Sequence, residues 1–206
     1  MKIKIIFWVG IIVLGLWYYY DSKPITYGHG QIAPKTPVQK LVSKKAFKLE
    51  EDYEVLPLAT FDITARVLST ERYWLDKEAK LAPVDFALGW GPMSDEKVLD
   101  KLKISQRNRW FYWSCKELPI SQSQIMHNSA NMHLIPANDE IDTKIKSTKT
   151  GNLVKFKGFL PKITGEDGWW WQSSLSRTDV GNGACEVVYV EEFEIISKEE
   201  VLKRLK

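Results

Sequence analysis

The sequence predicts a mainly β or α+β domain, a single small curled antiparallel sheet or barrel with short helices, placed behind an N-terminal transmembrane helix. Three observations predict this. Residues 3–20 (IKIIFWVGIIVLGLWYYY) are almost uncharged. The apolar pattern beyond residue 47 repeats mostly with the period of two that marks strands. Helix signatures are short and scattered, without the regular strand-helix alternation of a parallel α/β sheet.

The first run holds eighteen positions of which only Lys4 is charged. At about 1.5 Å per residue it just covers a hydrocarbon core of roughly 30 Å. Trp17, Tyr18, Tyr19 and Tyr20 suit a headgroup boundary, and Asp21 stops the segment. A cleaved secretory signal would need small residues near its cut, where four bulky aromatics stand. Residues 1–21 are therefore expected to be an uncleaved single-pass membrane anchor. Lys2 and Lys4 on one flank, against the nearly cancelling Asp21 and Lys23 on the other, favour a cytoplasmic amino terminus and a body on the exported, periplasmic or extracellular side.

Residues 22–46 are expected to be a basic linker containing Pro24, Gly28, Gly30, Pro34 and Pro37, extended and poorly packed, with His29 exposed. Residues 1–21 carry a net +1 and residues 22–50 a net +5, so the whole-chain charge of +3 leaves −3 for residues 51–206. A mildly acidic body argues against nucleic acid as a partner, since that would want a basic patch on the domain itself. A lysine-rich tether suits anionic headgroups or plain solvation.

The body, residues 47–197, is long enough for one hydrophobic core. Ile63, Ala65 and Val67 alternate against Thr64, Arg66 and Leu68, and Pro57 marks an edge or bend. Residues 81–91 predict a short strand ending in a tryptophan between glycines. Ser94 is expected to cap a helix over DEKVLDKLK, with Met93 and Val98 as a staple. Residues 104–115 (ISQRNRWFYWSC) predict one strand, with Trp110 and Tyr112 on one face and Phe111 and Trp113 on the other.

Residues 120–136 show no clean period. Asn138 is expected to cap a short helix, and residues 150–152 to form a turn. Residues 153–163 alternate, and Gly158 there suggests a bulge or a close backbone approach. Residues 169–172 and 184–196 predict two strands joined by the loop 173–183. The chain closes with a small amphipathic helix, residues 198–206, introduced by Ser197 and Glu200 as a capping box. In shape, a small curled sheet with a glycine kink is similar to an OB-like barrel, the oligonucleotide/oligosaccharide-binding architecture. A shape of that kind does not carry a function.

Cys115 and Cys185 are the only cysteines. In an exported domain they can pair, closing a loop of about 70 residues worth roughly 4 kcal/mol in the chain-entropy model. Otherwise they are two inert thiols. His127 and His133 fall about 240° apart on a helix or roughly 20 Å apart on a strand, so no metal site is expected, only one structural and one solvent-facing histidine. No cofactor motif is present.

The loop 173–183, with its serines, glycines and the Arg177/Asp179 pair, has the composition to meet an anion or carboxylate. Trp169, Trp170 and Trp171 precede it. As a strand they place Trp169 and Trp171 on one face and Trp170 on the other, a source of partner anchors. The functional expectation is an anchored domain that binds a protein partner as an interaction or assembly component of a cell envelope, with Trp169, Trp170, Trp171, Arg177 and Asp179 as the contact surface and no catalytic residue. Two alternatives stand beside it. A membrane-tethered hydrolase needs His127 or His133 within reach of Ser174, Ser176 or Cys185. A glycan-binding module needs two exposed coplanar tryptophans.

Overall fold

The computed structural model describes residues 8, 10–16, 19, 23–49, 52–176 and 185–205. The protein is mostly β, with a large mixed sheet and a few short helices. Its strands are β1 (Val38–Leu41), β2 (Phe47–Leu49), β3 (Tyr53–Arg72), β4 (Val84–Gly89), β5 (Lys103–Arg107), β6 (Trp110–Ser114), β7 (Ser129–Pro136), β8 (Leu153–Gly165), β9 (Trp170–Gln172) and β10 (Glu186–Ile196). Its described helices are α1 (Glu96–Leu99), α2 (Gln122–His127), α3 (Asp139–Ser147) and α4 (Lys198–Arg204), besides two 3-10 turns and the helical residues 10–16.

The long strand β3 organises the sheet. Register shifts at Pro57/Ala59 and Val67/Ser69 bend it, so one edge pairs with β8 while the other takes β2, β1 and then β4. Strand β4 pairs with β7, β7 with β10, and β10 returns to β8. The five strands β3, β4, β7, β10 and β8 thus close into a ring. Phe61, Ile63, Phe86, Leu88, Met132, Leu134, Phe156, Val188 and Val190 fill its interior, and Ile141 and Ile145 of α3 join that core. A second cluster lies on the outer face, where Tyr53, Val55, Ile135, Phe159 and Ile163 pack with Trp169 and Trp171.

Several local signals act as their chemistry requires. Asn138 Oδ1 accepts from Ile141 N–H at 3.0 Å and starts α3, and Ser197 Oγ accepts from Glu200 N–H at 3.3 Å and starts α4. Gly151 has φ +92° in the turn before β8. At Gly158 a Cβ would collide with the Tyr189 carbonyl, opposite a bulge between Val190 and Glu192 in β10.

Other expectations are corrected. The sheet is not wholly antiparallel, because β10 runs parallel to β7 after the chain has passed through α3, β8 and β9. Residues 104–115 are not one strand but the hairpin β5–β6, folded at Asn108 and Arg109. Asp95, rather than Ser94, caps α1, accepting from Lys97 N–H at 2.9 Å, and α1 is a single turn. The aperiodic residues 120–136 contain α2 and the central strand β7, which is buried on both faces and so carries no alternation.

The early part of the expected linker is packed. Tyr27, Ile32 and Ala33 belong to the main core. Glu96 accepts from Tyr27 N–H at 2.7 Å and Gly28 N–H at 2.6 Å, Asp95 from Gly30 N–H at 2.9 Å, and Ser94 Oγ from Ala33 N–H at 3.1 Å. Among the described residues no helix is long and apolar enough to cross a membrane, and the run 3–20 lies only partly within them.

Candidate functional site

The densest group of buried polar side chains lies on the outer face of β4 and β7, under the tip of the β5–β6 hairpin. Two positive φ angles, +54° at Asn108 and +65° at Arg109, make that tip a two-residue turn of the kind that matches strand twist. Asparagine tolerates this conformation, whereas arginine occupies it seldom. Arg109 is held there from every side. Its N–H donates to Tyr73 Oη at 2.9 Å, and its carbonyl accepts from Asn131 Nδ2 at 3.0 Å. Its guanidinium donates to Asp76 at 2.6 Å, Asp85 at 2.9 Å and the Ala82 carbonyl at 3.0 Å. The Tyr73 ring lies 4.0 Å beneath it.

Asp85 is wholly buried, with 0% of its surface exposed. Its register partner across the sheet is His133, whose Nδ1 sits 2.9 Å from Asp85 Oδ2, close but not aligned for a hydrogen bond. Trp171 covers the histidine ring at 5.1 Å. Burial, with the Asp85 charge adding to it, pushes the Tyr73 hydroxyl up to about 12. Because Arg109 already directs four of its five N–H donors to Asp76, Asp85 and a carbonyl, the group works as a clip fastening the hairpin to the ring.

The tryptophans divide by face. Trp169 is half-buried edge-on to Tyr53 at 6.0 Å, and Trp171 is half-buried against His133. Trp170 is 62% exposed, with the Lys162 ammonium 5.9 Å from its ring. The planes of Trp169 and Trp171 are tilted by 56°, so the coplanar exposed pair that a glycan platform needs does not form between them. Arg177 and Asp179 lie outside the described residues.

The possible pairing of Cys115 with Cys185 does not form: the two are not joined in a disulfide. Cys185 Sγ lies 3.8 Å from the Arg109 carbonyl at the hairpin tip, while Cys115 follows β6 at the opposite end, roughly 20 Å away along an extended strand and beyond disulfide reach.

His127 is exposed and its Nδ1 meets the Ser123 carbonyl at 2.7 Å, while His133 is buried. Among the described residues neither histidine hydrogen-bonds Ser174, Ser176 or Cys185, the contact the hydrolase alternative requires. No group of metal ligands occurs among the described residues either.

Sequence reasoning missed Arg109, Asn131 and the loop residues Trp74 and Leu75, which are 74% and 99% exposed. The available signal was the polar pair Asn108-Arg109 between the alternating run Lys103–Arg107 and the aromatic run 110–113. The chain matches no known family model and no curated protein.

Proposed function

We propose that this is a single-pass membrane-anchored protein whose β-rich body, on the exported side, binds a protein partner as an interaction or assembly component of a cell envelope. The observation that carries the binding reading is the uncovered apolar surface beside the polar clip. Trp74, Leu75 and Trp170 stand out from the loop before β4 and from the edge strand β9. Exposed tryptophans of this kind are typical partner anchors, and a clip whose guanidinium is held by its own neighbours offers them a rigid support.

Two further features support the reading. Ile11, Ile12, Val13 and Leu14 of the helical residues 10–16 are all exposed, so they need an apolar environment that the body does not supply. The ring has a Greek-key order in which only the third and fifth strands run parallel and α3 lies between the third and fourth, the pattern of an OB-like barrel.

The test is a photo-crosslinking amino acid at Leu75 in cells. One discrete adduct is expected, lost on Trp170→Ala while the purified variant melts as the parent does. Absence of any adduct at Leu75 overturns the surface. Labelling of the free thiol of Cys115 in intact cells by a membrane-impermeant reagent is expected, and labelling only after lysis places the body inside.

A further inference from the structure

The chain enters the body much sooner than its composition suggests. Ile25 N–H donates to the Thr150 carbonyl at 2.9 Å, its carbonyl accepts from Arg66 Nη2 at 3.2 Å, and Lys23 lies over the Tyr19 ring at 4.5 Å. From Tyr20, where the apolar run ends, to Ile25 there are five residues, at most about 18 Å of extended chain. On the anchor reading above, on which this inference rests, that end of the ring cannot leave the bilayer surface.

The surface around the entry point has a definite character. A groove of about 560 Å³ runs from Lys23 and Pro24 past Thr150 to Asp100 and Leu102. A second, of about 510 Å³, continues from Asp100 and Leu102 to Lys101, Lys103 and Lys116. These three lysines are exposed, and among the described residues none forms an ion pair. Asp100 and Glu117 share the same rim, so the face stays positive on balance. The opposite end lies far off, because β8 runs thirteen residues from Leu153 beside the entry point to Gly165, roughly 40 Å.

We propose that the face bearing Lys101, Lys103 and Lys116 rests on the anionic phospholipid headgroups of the bilayer that holds residues 3–20. The short connection supplies proximity, and the unpaired ammonium groups select the side that turns down. Ammonium groups within a Debye length of an anionic surface, about 8–10 Å, are attracted to it, and a connection this short lets the rim come down to that distance. The Trp170 end then points away from the membrane, toward a partner.

The experiment uses the full chain with Cys115→Ser and Cys185→Ser, reconstituted in bilayer discs of phosphatidylcholine, phosphatidylglycerol and a headgroup-spin-labelled lipid. A fluorophore is attached at Ser114→Cys on the proposed face or at Glu166→Cys at the far end. Quenching several-fold stronger at 114 than at 166 is expected. It should fall to the level at 166 when Lys101, Lys103 and Lys116 become Glu, and likewise when phosphatidylglycerol is omitted, which needs no variant. Equal quenching at both positions in protein that resists carbonate extraction overturns the proposal and leaves the anchor standing. Extraction by carbonate overturns both. Strong quenching at 114 that ignores lysines and lipid charge also overturns headgroup recognition, leaving the short chain as the only constraint.

Discussion

Asp85 places a carboxylate where no water reaches it, and that position is tenable only because Arg109 and Asn131 both donate to it. Removing one member of such a group leaves the others desolvated and unmatched. Asp85→Ala is therefore expected to lower unfolding free energy by about 3 kcal/mol, the lower part of the range for breaking a buried pair because Arg109 keeps Asp76. Urea denaturation measures it, and a loss well under 1 kcal/mol would mean that the hairpin is held by its apolar side alone. Arg109 was invisible in the sequence for a physical reason. Its importance comes from a turn that brings it across to β4, and nothing local to residues 107–110 encodes Asp85 as its partner. Trp170 was legible as a face-alternating residue because that depends only on strand period.

Elements whose start is set by neighbouring residues were legible, as α3 and α4 show through Asn138 and Ser197, whereas β7 was hidden by burial on both faces. The docking of residues 25–33 onto α1 was also hidden, since glycines and prolines describe backbone freedom and not what the chain packs against. Here Glu96 is decisive. Burial alone would raise its carboxyl, but hydrogen bonds from Tyr27 N–H, Arg66 and Gly28 N–H, with the Arg66 charge, hold it below the ordinary 4.5. A depressed carboxylate contributes stability that is present above its unfolded value and lost as pH falls through the folded value. Protection of the Tyr27 and Gly28 amides from hydrogen exchange, taken relative to the intrinsic rate at each pH, should thus fall on acidification below about pH 4.5. Glu96→Gln should exchange fast already at neutral pH and lose about 2 kcal/mol, as expected for charged hydrogen bonds. Exchange unchanged in the variant would assign the docking to Ile32 and Ala33 instead.

At the scale of the molecule, strand richness and a curled sheet were legible because they follow from short-range periodicity, while closure of the ring was not, because the parallel pairing of β10 with β7 joins segments fifty residues apart or more. Closure also decides where the domain begins. If residues 22–46 were a tether, trimming them would leave the body intact. The structure makes a different demand, because Tyr27 and Ile32 are core residues and the first buries against Arg66, whose charge has Glu96 as its acid partner. A chain starting at residue 23 is expected to melt cooperatively and to remain monodisperse without detergent. A chain starting at residue 35 removes two large core side chains, each worth about 1.5–3 kcal/mol, and opens the Arg66–Glu96 pair to a half-empty site. The summed loss approaches the whole stability of a domain this size, so the shorter chain should unfold or melt far lower. Circular dichroism melts of the two truncations decide the matter. Equal midpoints would return residues 23–34 to the role of a linker and would lengthen the leash that holds the ring to the membrane, whereas collapse of the shorter chain alone keeps that leash at five residues.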